Sequence, residues 1–230
     1  MSALNKLLTY FLCSTVFACL IAPLVIKLMS KLKAKQTVLG YVKQHASKSG
    51  MPTMGGFIFL IPALVFSLVE WQRLSIVSAV AILGFCILGF LDDFIKIRYA
   101  RNLGLKPYQK IIGQVGLGLI VGYFVYASKD VGSAINLPFT AYVLDMKWGI
   151  IPFVAIVYIA TTNSVNLTDG LDGLAGYTAV AYFLWFGILI YFIYEDALIA
   201  NDAEYAKEIL SLGAFCVSML GGLLGYLVFN

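Results

Sequence analysis

The sequence predicts an all-α integral membrane protein of about seven transmembrane helices. Of its 230 residues, 61% are hydrophobic and 12% are charged, and an ordinary water-soluble domain does not have this composition. The mean hydropathy is +0.90. The apolar residues form continuous runs of about 20, the length that a helix needs to cross a bilayer, without the alternation typical of membrane barrel strands. Lipid is therefore the expected solvent for most of the chain.

Seven apolar runs follow one another along the chain. The first run is longer than the apolar part of a signal peptide and six others follow it, which favours a retained span. No low-complexity linker, charged tail or strong repeat divides the sequence, so we predict one polytopic membrane domain over residues 1–230. The predicted spans are 7–29, 54–71, 74–95, 111–127, 148–162, 175–194 and 209–229.

The basic residues predict the orientation of the chain. Lys and Arg in short loops stay on the cytoplasmic side of a membrane, and most of the 16 basic residues follow the first and third spans. We therefore expect these loops to be cytoplasmic and the N-terminus to lie outside. Most of the 12 acidic residues fall on the opposite side. The four that remain inside are Asp92, Asp93, Asp169 and Asp172.

The first of two acidic motifs is L-D-D-F-I-K, in which Asp92 and Asp93 interrupt the inner end of the third span. Carboxylates are unfavourable near hydrocarbon and at the negative end of a helix, so a positive group should offset them. One interpretation is a solvated ion-pair cluster with Lys96 and Arg98. We favour a functional interpretation, because neighbouring carboxylates can bind a divalent cation, face a phosphate-bearing substrate or accept a proton.

The second acidic motif lies between the fifth and sixth spans and contains Asn166, Asp169 and Asp172 at three-residue spacing. If the sixth helix begins here, these side chains share one face. The glycines of the segment let a ligand approach the backbone, and N–H groups at a helix N-terminus suit phosphate. The alternative is helix capping by Asn166 or Thr168, which explains one acid but not the whole pattern.

A third polar stretch leads from a basic loop into the second span. Pro52 and the Gly55-Gly56 pair predict a turn at the membrane edge. Lys48 is a candidate phosphate anchor, because it is a cation at the interface near clustered carboxylates. His45, the one histidine of the chain, is interpreted as a packed or solvated residue and not as a ligand.

These motifs resemble those of the phospho-N-acetylmuramoyl-pentapeptide-transferase family. The resemblance rests on P-T-M-G-G at 52–56, L-D-D-F-I-K at 91–96, R-N-L-G-L at 101–105 and N-L-T-D-G-L-D-G-L-A at 166–175. It covers essentially the whole chain in order. Related N-acetylglucosamine-1-phosphate transferases share the double aspartate and a similar D-G-x-D-G segment, but they lack this P-T-M-G-G form.

The resemblance implies a reaction and its location. Phospho-MurNAc-pentapeptide would pass from UDP-MurNAc-pentapeptide to undecaprenyl phosphate, which gives lipid I and UMP in peptidoglycan biosynthesis. The expected location is the bacterial inner membrane, with the active site facing the cytoplasm. The expected partners are these two substrates, membrane lipid and a second copy of the chain in a homodimer, and nothing indicates nucleic acid.

The resemblance also implies the site residues. Asp92 and Asp93 would be the catalytic pair, with Asp92 helping to deprotonate or orient the lipid phosphate. The expected cofactor is Mg²⁺, bound by this pair and by Asp169. The expected substrate-binding and nucleotide-binding residues are Lys48, Lys96, Asn166, Asp169 and Asp172.

The family normally has about ten spans, and the family region expected beyond Asn230 carries an M-G-D-x-G-S run with a metal-binding aspartate and a histidine-rich loop. We therefore expect a C-terminally truncated member of the family, whose own activity is an open question. One alternative is a related polyprenyl-phosphate N-acetylhexosamine-1-phosphate transferase. The other is an inactive membrane fragment, a scaffold or a cation-coupled transporter, although a transporter would place its acids near the bilayer midplane.

Overall fold

The computed structural model describes residues 2–31, 54–99, 104–168 and 173–230, and its architecture confirms the all-α membrane fold. A small antiparallel hairpin joins the fourth and fifth helices, and a 3-10 turn over Lys147–Gly149 precedes the fifth. The helices are α1 (Ala3–Lys31), α2 (Phe57–Ser67), α3 (Arg73–Arg98), α4 (Pro107–Ala127), α5 (Ile150–Thr168), α6 (Leu174–Ile199) and α7 (Ala203–Leu227). The strands are β1 (Ala134–Asn136) and β2 (Val143–Asp145).

Six of the seven helices in the described ranges are long and apolar enough to cross a membrane. The exception is α2, which has 11 residues and extends about 17 Å at a rise of 1.5 Å per residue. A bilayer core is roughly 30 Å thick, so the predicted span 54–71 is longer than the observed helix. The apolar run is continuous in sequence, whereas the chain turns at Gly55-Gly56 and again at residues 68–70.

Helix α7 occupies the centre of the bundle and packs against α1, α2, α3 and α6. A larger share of its apolar stretch is buried than in any other spanning helix of the described chain. Glycines permit this packing: a Cβ atom at Gly222 would lie 2.8 Å from the Phe59 carbonyl oxygen, and one at Gly225 would lie 2.9 Å from the Thr15 carbonyl oxygen. Small residues at helix contacts are typical of membrane proteins, because they let backbones approach closely.

Helices α4 and α5 form an antiparallel pair with equally close packing. A Cβ atom at Gly118 would lie 2.7 Å from the Ala155 Cα atom, and one at Gly122 would lie 2.6 Å from the Ile151 carbonyl oxygen. Because the two helices run in opposite directions, the start of α4 and the end of α5 lie at the same end of the bundle.

The N-terminal end of α3 is held by a buried carboxylate from α7. Glu208 accepts hydrogen bonds from the backbone N–H groups of Arg73 at 3.4 Å and Leu74 at 3.0 Å. The Arg73 guanidinium pairs with Glu208 at 3.3 Å and with Asp130 at 2.7 Å. An anion is stabilising at the positive end of a helix. Asp130 and Glu208, which are among the acidic residues predicted on the outer side, therefore have a structural role as partners of Arg73.

A second carboxylate near the same end of α3 links α1 to the turn after α2. Glu70 accepts a hydrogen bond from the Tyr10 hydroxyl at 2.5 Å and pairs with the Lys6 ammonium at 2.5 Å. Burial alone would raise the pKa of Glu70, but these two partners lower the pKa below its ordinary value. The Glu70 carboxylate therefore stays charged to a lower pH than a free side chain would.

Replacing Gly118 with Ala should destabilise the protein by about 1–3 kcal/mol, because the added methyl group meets backbone atoms of Ala155 that cannot rotate away. Gly116 on the same helix is the matched control, since a Cβ atom there meets nothing within 4 Å. Gly116→Ala should be neutral or stabilising by up to about 1 kcal/mol, because Ala favours helix more than Gly does. Unfolding of both variants in one detergent checks this. Equal effects would contradict the described α4–α5 contact.

Candidate active site

The L-D-D-F-I-K motif lies in the last turns of α3, and the helix brings its charges together. The Lys96 ammonium lies 2.6 Å from Asp92 Oδ2 and 3.0 Å from Asp93 Oδ1. These are i,i+4 and i,i+3 spacings, which place side chains side by side on a helix. Lys96 is therefore the positive group that the two carboxylates require at this end of the span.

Asp92 is buried, with 7% of its surface exposed, and both of its carboxylate oxygens contact protein partners. Oδ1 accepts a hydrogen bond from the backbone N–H of Leu105 at 2.9 Å. Oδ2 faces Lys96 and also lies 3.5 Å from the Lys110 ammonium in the first turn of α4. A single carboxylate thus ties the end of α3 to the segment that leads into α4.

Gly104 makes this contact possible. A Cβ atom at this position would lie 2.7 Å from the Asp92 Cγ atom, so any side chain would displace the carboxylate. The absence of a side chain at this glycine of the R-N-L-G-L motif therefore lets the segment approach Asp92 closely.

Asp93 has a different environment from its neighbour. Its side chain is 33% exposed, compared with 10% for the side chain of Asp92. In the described part of the chain, its ion pair is with Lys96 through Oδ1. Asp93 is therefore the more exposed member of the pair among the described residues.

Asn166 is an exposed residue in the last turn of α5. The condition for a shared helix face is not met, because α5 continues to Thr168 and α6 begins at Leu174, close to the start of the predicted span 175–194. The Thr168 hydroxyl donates a hydrogen bond back to the Ser164 carbonyl oxygen at 2.9 Å. Gly173, in the left-handed region at φ 72°, precedes α6, so neither Asn166 nor Thr168 caps that helix. Asp169 and Asp172 lie outside the described residues.

The described part of P-T-M-G-G lies at the same end of the bundle as the double aspartate. Met54 and Ile97 both pack against one apolar cluster that includes Met29 of α1 and Ile58 of α2. Asn166 is also at this end, since α5 runs antiparallel to α4. The structure thus gathers the described parts of the three motifs at one end, while Lys48 and His45 lie outside the described residues.

Asn230, the residue beyond which the family's metal-binding aspartate is expected, lies just after the end of α7. Its side-chain Oδ1 atom accepts a hydrogen bond from the Tyr226 hydroxyl at 2.7 Å, and Tyr226 packs against the same apolar cluster as Met54 and Ile97. Asn230 is therefore at the site end of the bundle, where its side chain bonds to its own helix and lies near Gly173 at the start of α6. The aspartate expected beyond it remains a prediction of the family resemblance.

A polar contact between α4 and α5 is a feature that the sequence analysis missed. Gln114 is buried in α4, and its Oε1 atom accepts a hydrogen bond from the Asn163 side-chain amide at 2.9 Å. The same amide donates to the Ile159 carbonyl oxygen at 2.7 Å. Lys110 lies one turn before Gln114, and Asn166 lies three residues after Asn163. The pair therefore fixes how α4 and α5 align next to the acidic cluster.

The sequence contains a signal for Gln114 and for Lys110, two residues whose contacts were not predicted. Gln114 is a polar side chain inside a predicted span, and such residues commonly mark functional or packing contacts. Lys110 is one of the basic residues that follow the third predicted span, and the structure places it in the first turn of α4, beside Asp92.

Comparison with known proteins identifies the family. The sequence model of "Glycosyl transferase family 4" matches residues 74–230. A phospho-N-acetylmuramoyl-pentapeptide-transferase of Thermoanaerobacter sp. (strain X514) is 37% identical over 230 residues, which cover 99% of this chain and 68% of the relative. The chain belongs to the phospho-N-acetylmuramoyl-pentapeptide-transferase family.

Other members of the family give similar values. The enzyme of the same name from Clostridioides difficile (strain 630) is 39% identical over 215 residues, or 92% of this chain and 62% of the relative. That of Listeria welshimeri is 35% identical over 235 aligned residues, which cover 99% of this chain and 68% of the relative. The chain is thus a multi-pass membrane protein of a transferase family and spans about two thirds of the length of these relatives.

The donors at the family's double aspartate are oxygens, the ligand type that Mg²⁺ prefers. Both oxygens of Asp92 already have protein partners, so Asp93 is the carboxylate of the pair that fits a metal better. Among the residues that the structure describes, no three His, Cys, Asp or Glu side chains cluster closely enough to hold an ion. The predicted third ligand, Asp169, lies outside those residues, so the predicted metal set remains a prediction.

Replacing Asp92 with Asn should cost about 1–3 kcal/mol of stability, because Lys96 and Lys110 lose a buried counter-charge. Asp93→Asn should cost less than about 1 kcal/mol, since the side chain is partly solvated. Thermal unfolding of the two variants in the same nanodiscs measures the difference. A larger loss for Asp93→Asn would show that the burial of the two aspartates is wrongly assigned.

The Gln114–Asn163 contact should appear as a coupling free energy of about 0.5–1.5 kcal/mol in a double-mutant cycle with Ala at both positions. Thr162, whose hydroxyl bonds to the Tyr158 carbonyl oxygen of its own helix, provides the control cycle with Gln114. That control should show a coupling near zero. Similar coupling in both cycles would mean that the amide pair does not link the helices.

Proposed function

We propose that this chain transfers phospho-N-acetylmuramoyl-pentapeptide from UDP-MurNAc-pentapeptide to undecaprenyl phosphate, giving lipid I and UMP. Membership of the family supports the proposal, as does the agreement of its motifs along the chain. The observation that carries it is the partly exposed Asp93 carboxylate beside Lys96 at the end of a membrane-spanning helix. A lipid phosphate and a water-soluble nucleotide can both reach such a position.

The site is proposed to face the cytoplasm at the bacterial inner membrane. The basic residues support this orientation, because the described ones after the third predicted span, from Lys96 to Lys110, lie at or next to the acidic-cluster end of α3. The ion pairs of Glu70, Asp130 and Glu208 belong to the opposite end of α3. A homodimer remains a prediction of the family resemblance.

In the proposed reaction, an oxygen of the lipid phosphate forms a bond to the phosphorus next to the sugar. The bond from that phosphorus to the oxygen bridging it to UMP breaks, and UMP leaves with the electron pair. Catalysis of such a transfer depends on positioning and on stabilising negative charge. Lys96 and Lys110, two ammonium groups beside the aspartates, are suited to face the phosphates.

The two aspartates are proposed to have separate roles. Asp92 positions Lys96, Lys110 and the Leu105 backbone, because its oxygens are engaged with all three. Deprotonation or orientation of the lipid phosphate, which the sequence analysis assigned to Asp92, suits the more exposed Asp93 better. A bound Mg²⁺, for which Asp93 and Asp169 are the proposed ligands, would supply positive charge to the diphosphate.

The remaining predicted residues would complete the nucleotide side of the site. Asn166, Asp169 and Asp172 are proposed to line the nucleotide region, and Lys48 is proposed to contact a phosphate. Asn166 supports this role by its exposure at the site end of α5.

The breadth of the matched family favours one second candidate, a polyprenyl-phosphate transferase that uses a different nucleotide sugar. The match to glycosyl transferase family 4 covers residues 74–230 and does not distinguish the sugar. Comparing UMP release from UDP-MurNAc-pentapeptide and from UDP-GlcNAc separates the two candidates.

The test is UMP release by the chain in nanodiscs, with undecaprenyl phosphate, UDP-MurNAc-pentapeptide and Mg²⁺ present. Asp93→Asn should lower turnover by at least about 100-fold, the range typical for loss of an acid–base group, while the protein remains folded. Asp196→Asn is the matched control, because this exposed carboxylate lies in the last turn of α6, away from the motifs. Unchanged turnover in Asp93→Asn would overturn the assignment of this motif.

A further inference from the structure

The hairpin between α4 and α5 has an exposed apolar tip. Strands β1 and β2 pair in antiparallel register, with Ile135 opposite Leu144, and the Leu137 N–H donates to the Tyr142 carbonyl oxygen at 3.1 Å. Phe139 at the tip is fully exposed, and Tyr142 and Val143 beside it are more than half exposed.

The backbone of the tip holds Phe139 outward in an unfavourable conformation. Phe139 has a φ of 63°, in the left-handed region that costs a bulky residue roughly 1–2 kcal/mol. The turn is closed by Thr140, whose N–H and hydroxyl both donate to the Leu137 carbonyl oxygen, at 3.3 and 3.0 Å. Backbone strain of this kind is expected to be retained where the exposed side chain has a function.

The acidic groups of the connection are already paired within the protein. Asp145 accepts hydrogen bonds from the Ser133 hydroxyl at 2.5 Å and from the Lys147 N–H at 3.0 Å. The Ser133 hydroxyl and this N–H lower the pKa of Asp145. Asp130 pairs with Arg73 at 2.7 Å. The surface left for a partner is therefore aromatic and aliphatic, flanked by the exposed ammonium groups of Lys129 and Lys147.

Within the described chain, β1 and β2 pack chiefly against each other. A two-stranded hairpin alone is marginally stable in water and needs an apolar surface to pack against. The chain leaves a membrane-spanning helix at Ala127 and enters the next at Ile150. The hairpin therefore starts and ends at the membrane surface, where Trp and Tyr side chains are favoured.

We propose that the segment 134–148 is a membrane-interface anchor, with Phe139, Tyr142 and Trp148 at the boundary between lipid headgroups and acyl chains. The partner is the lipid of the leaflet next to this hairpin. Lys129 and Lys147 face the headgroup phosphates. This anchor fixes the depth of the α4–α5 pair in the bilayer and is independent of the proposed transferase activity.

The experiment uses tryptophan fluorescence of the full chain in nanodiscs. The three native tryptophans, Trp71, Trp148 and Trp185, are all exposed, so their replacement by Phe should leave the fold intact. In that background, Phe139→Trp provides a single reporter at the tip. Nanodiscs containing lipid brominated near the headgroup should quench this reporter by about half or more, and aqueous acrylamide should quench it weakly.

Two further chains provide the controls. A chain that keeps only Trp185, exposed on the membrane-spanning α6, gives the signal of a lipid-facing residue. A chain that keeps only Trp148 reports on the anchor with the hairpin tip unaltered, and it should also be quenched by brominated lipid.

Each outcome decides the proposal. Quenching of both the tip reporter and Trp148 by brominated lipid supports it. Strong acrylamide quenching without lipid quenching places the hairpin in water and overturns it. Protection from both quenchers means that protein, such as a second copy of the chain, covers the tip, and this result also overturns it.

Discussion

The buried carboxylate of Asp92 is the interaction on which the candidate site depends. A buried charge is costly by several kcal/mol unless it is paired and hydrogen-bonded, and Asp92 satisfies this requirement with Lys96, Lys110 and the Leu105 N–H. Meeting this requirement fixes the end of α3 relative to the start of α4. It also leaves Asp93 at the surface beside Lys96, so one constraint explains why two adjacent aspartates have different environments.

The rest of the fold holds this arrangement at one end of the bundle. Helix α7 packs closely against α1 and α2 through Gly222 and Gly225, and α4 packs against α5 through Gly118. The Gln114–Asn163 hydrogen bond aligns α4 and α5 one turn from Lys110. At the opposite end of α3, carboxylates satisfy a helix N-terminus and basic side chains. The carboxylates at this end therefore have structural partners, whereas those at the other end are the ones proposed to take part in the reaction.

The sequence predicts those features that depend on local spacing. Composition predicts the all-α membrane fold, and the cost of two carboxylates at the end of a span predicts a positive group beside them, which is Lys96. The difference between Asp92 and Asp93 could not be predicted, because it depends on where Leu105 and Lys110 return after α3. The Gln114–Asn163 contact is likewise set by packing between helices. The polar residues at the end of α5 extend that helix beyond the predicted boundary at residue 162, so Asn166 lies in α5 and not in the loop after it. The predicted span 54–71 is longer than the 11-residue α2.

Hydrogen–deuterium exchange at the Leu105 amide tests most directly whether Asp92 organises the site. The measurement compares the parent chain in nanodiscs with Asp92→Asn and Asp93→Asn, following peptides that contain residues 104–106. If the Asp92 carboxylate holds this segment, exchange at Leu105 should become at least about tenfold faster in Asp92→Asn, since opening then costs less free energy. Exchange in Asp93→Asn should match the parent. Equal exchange in both variants would contradict a separate positioning role for Asp92.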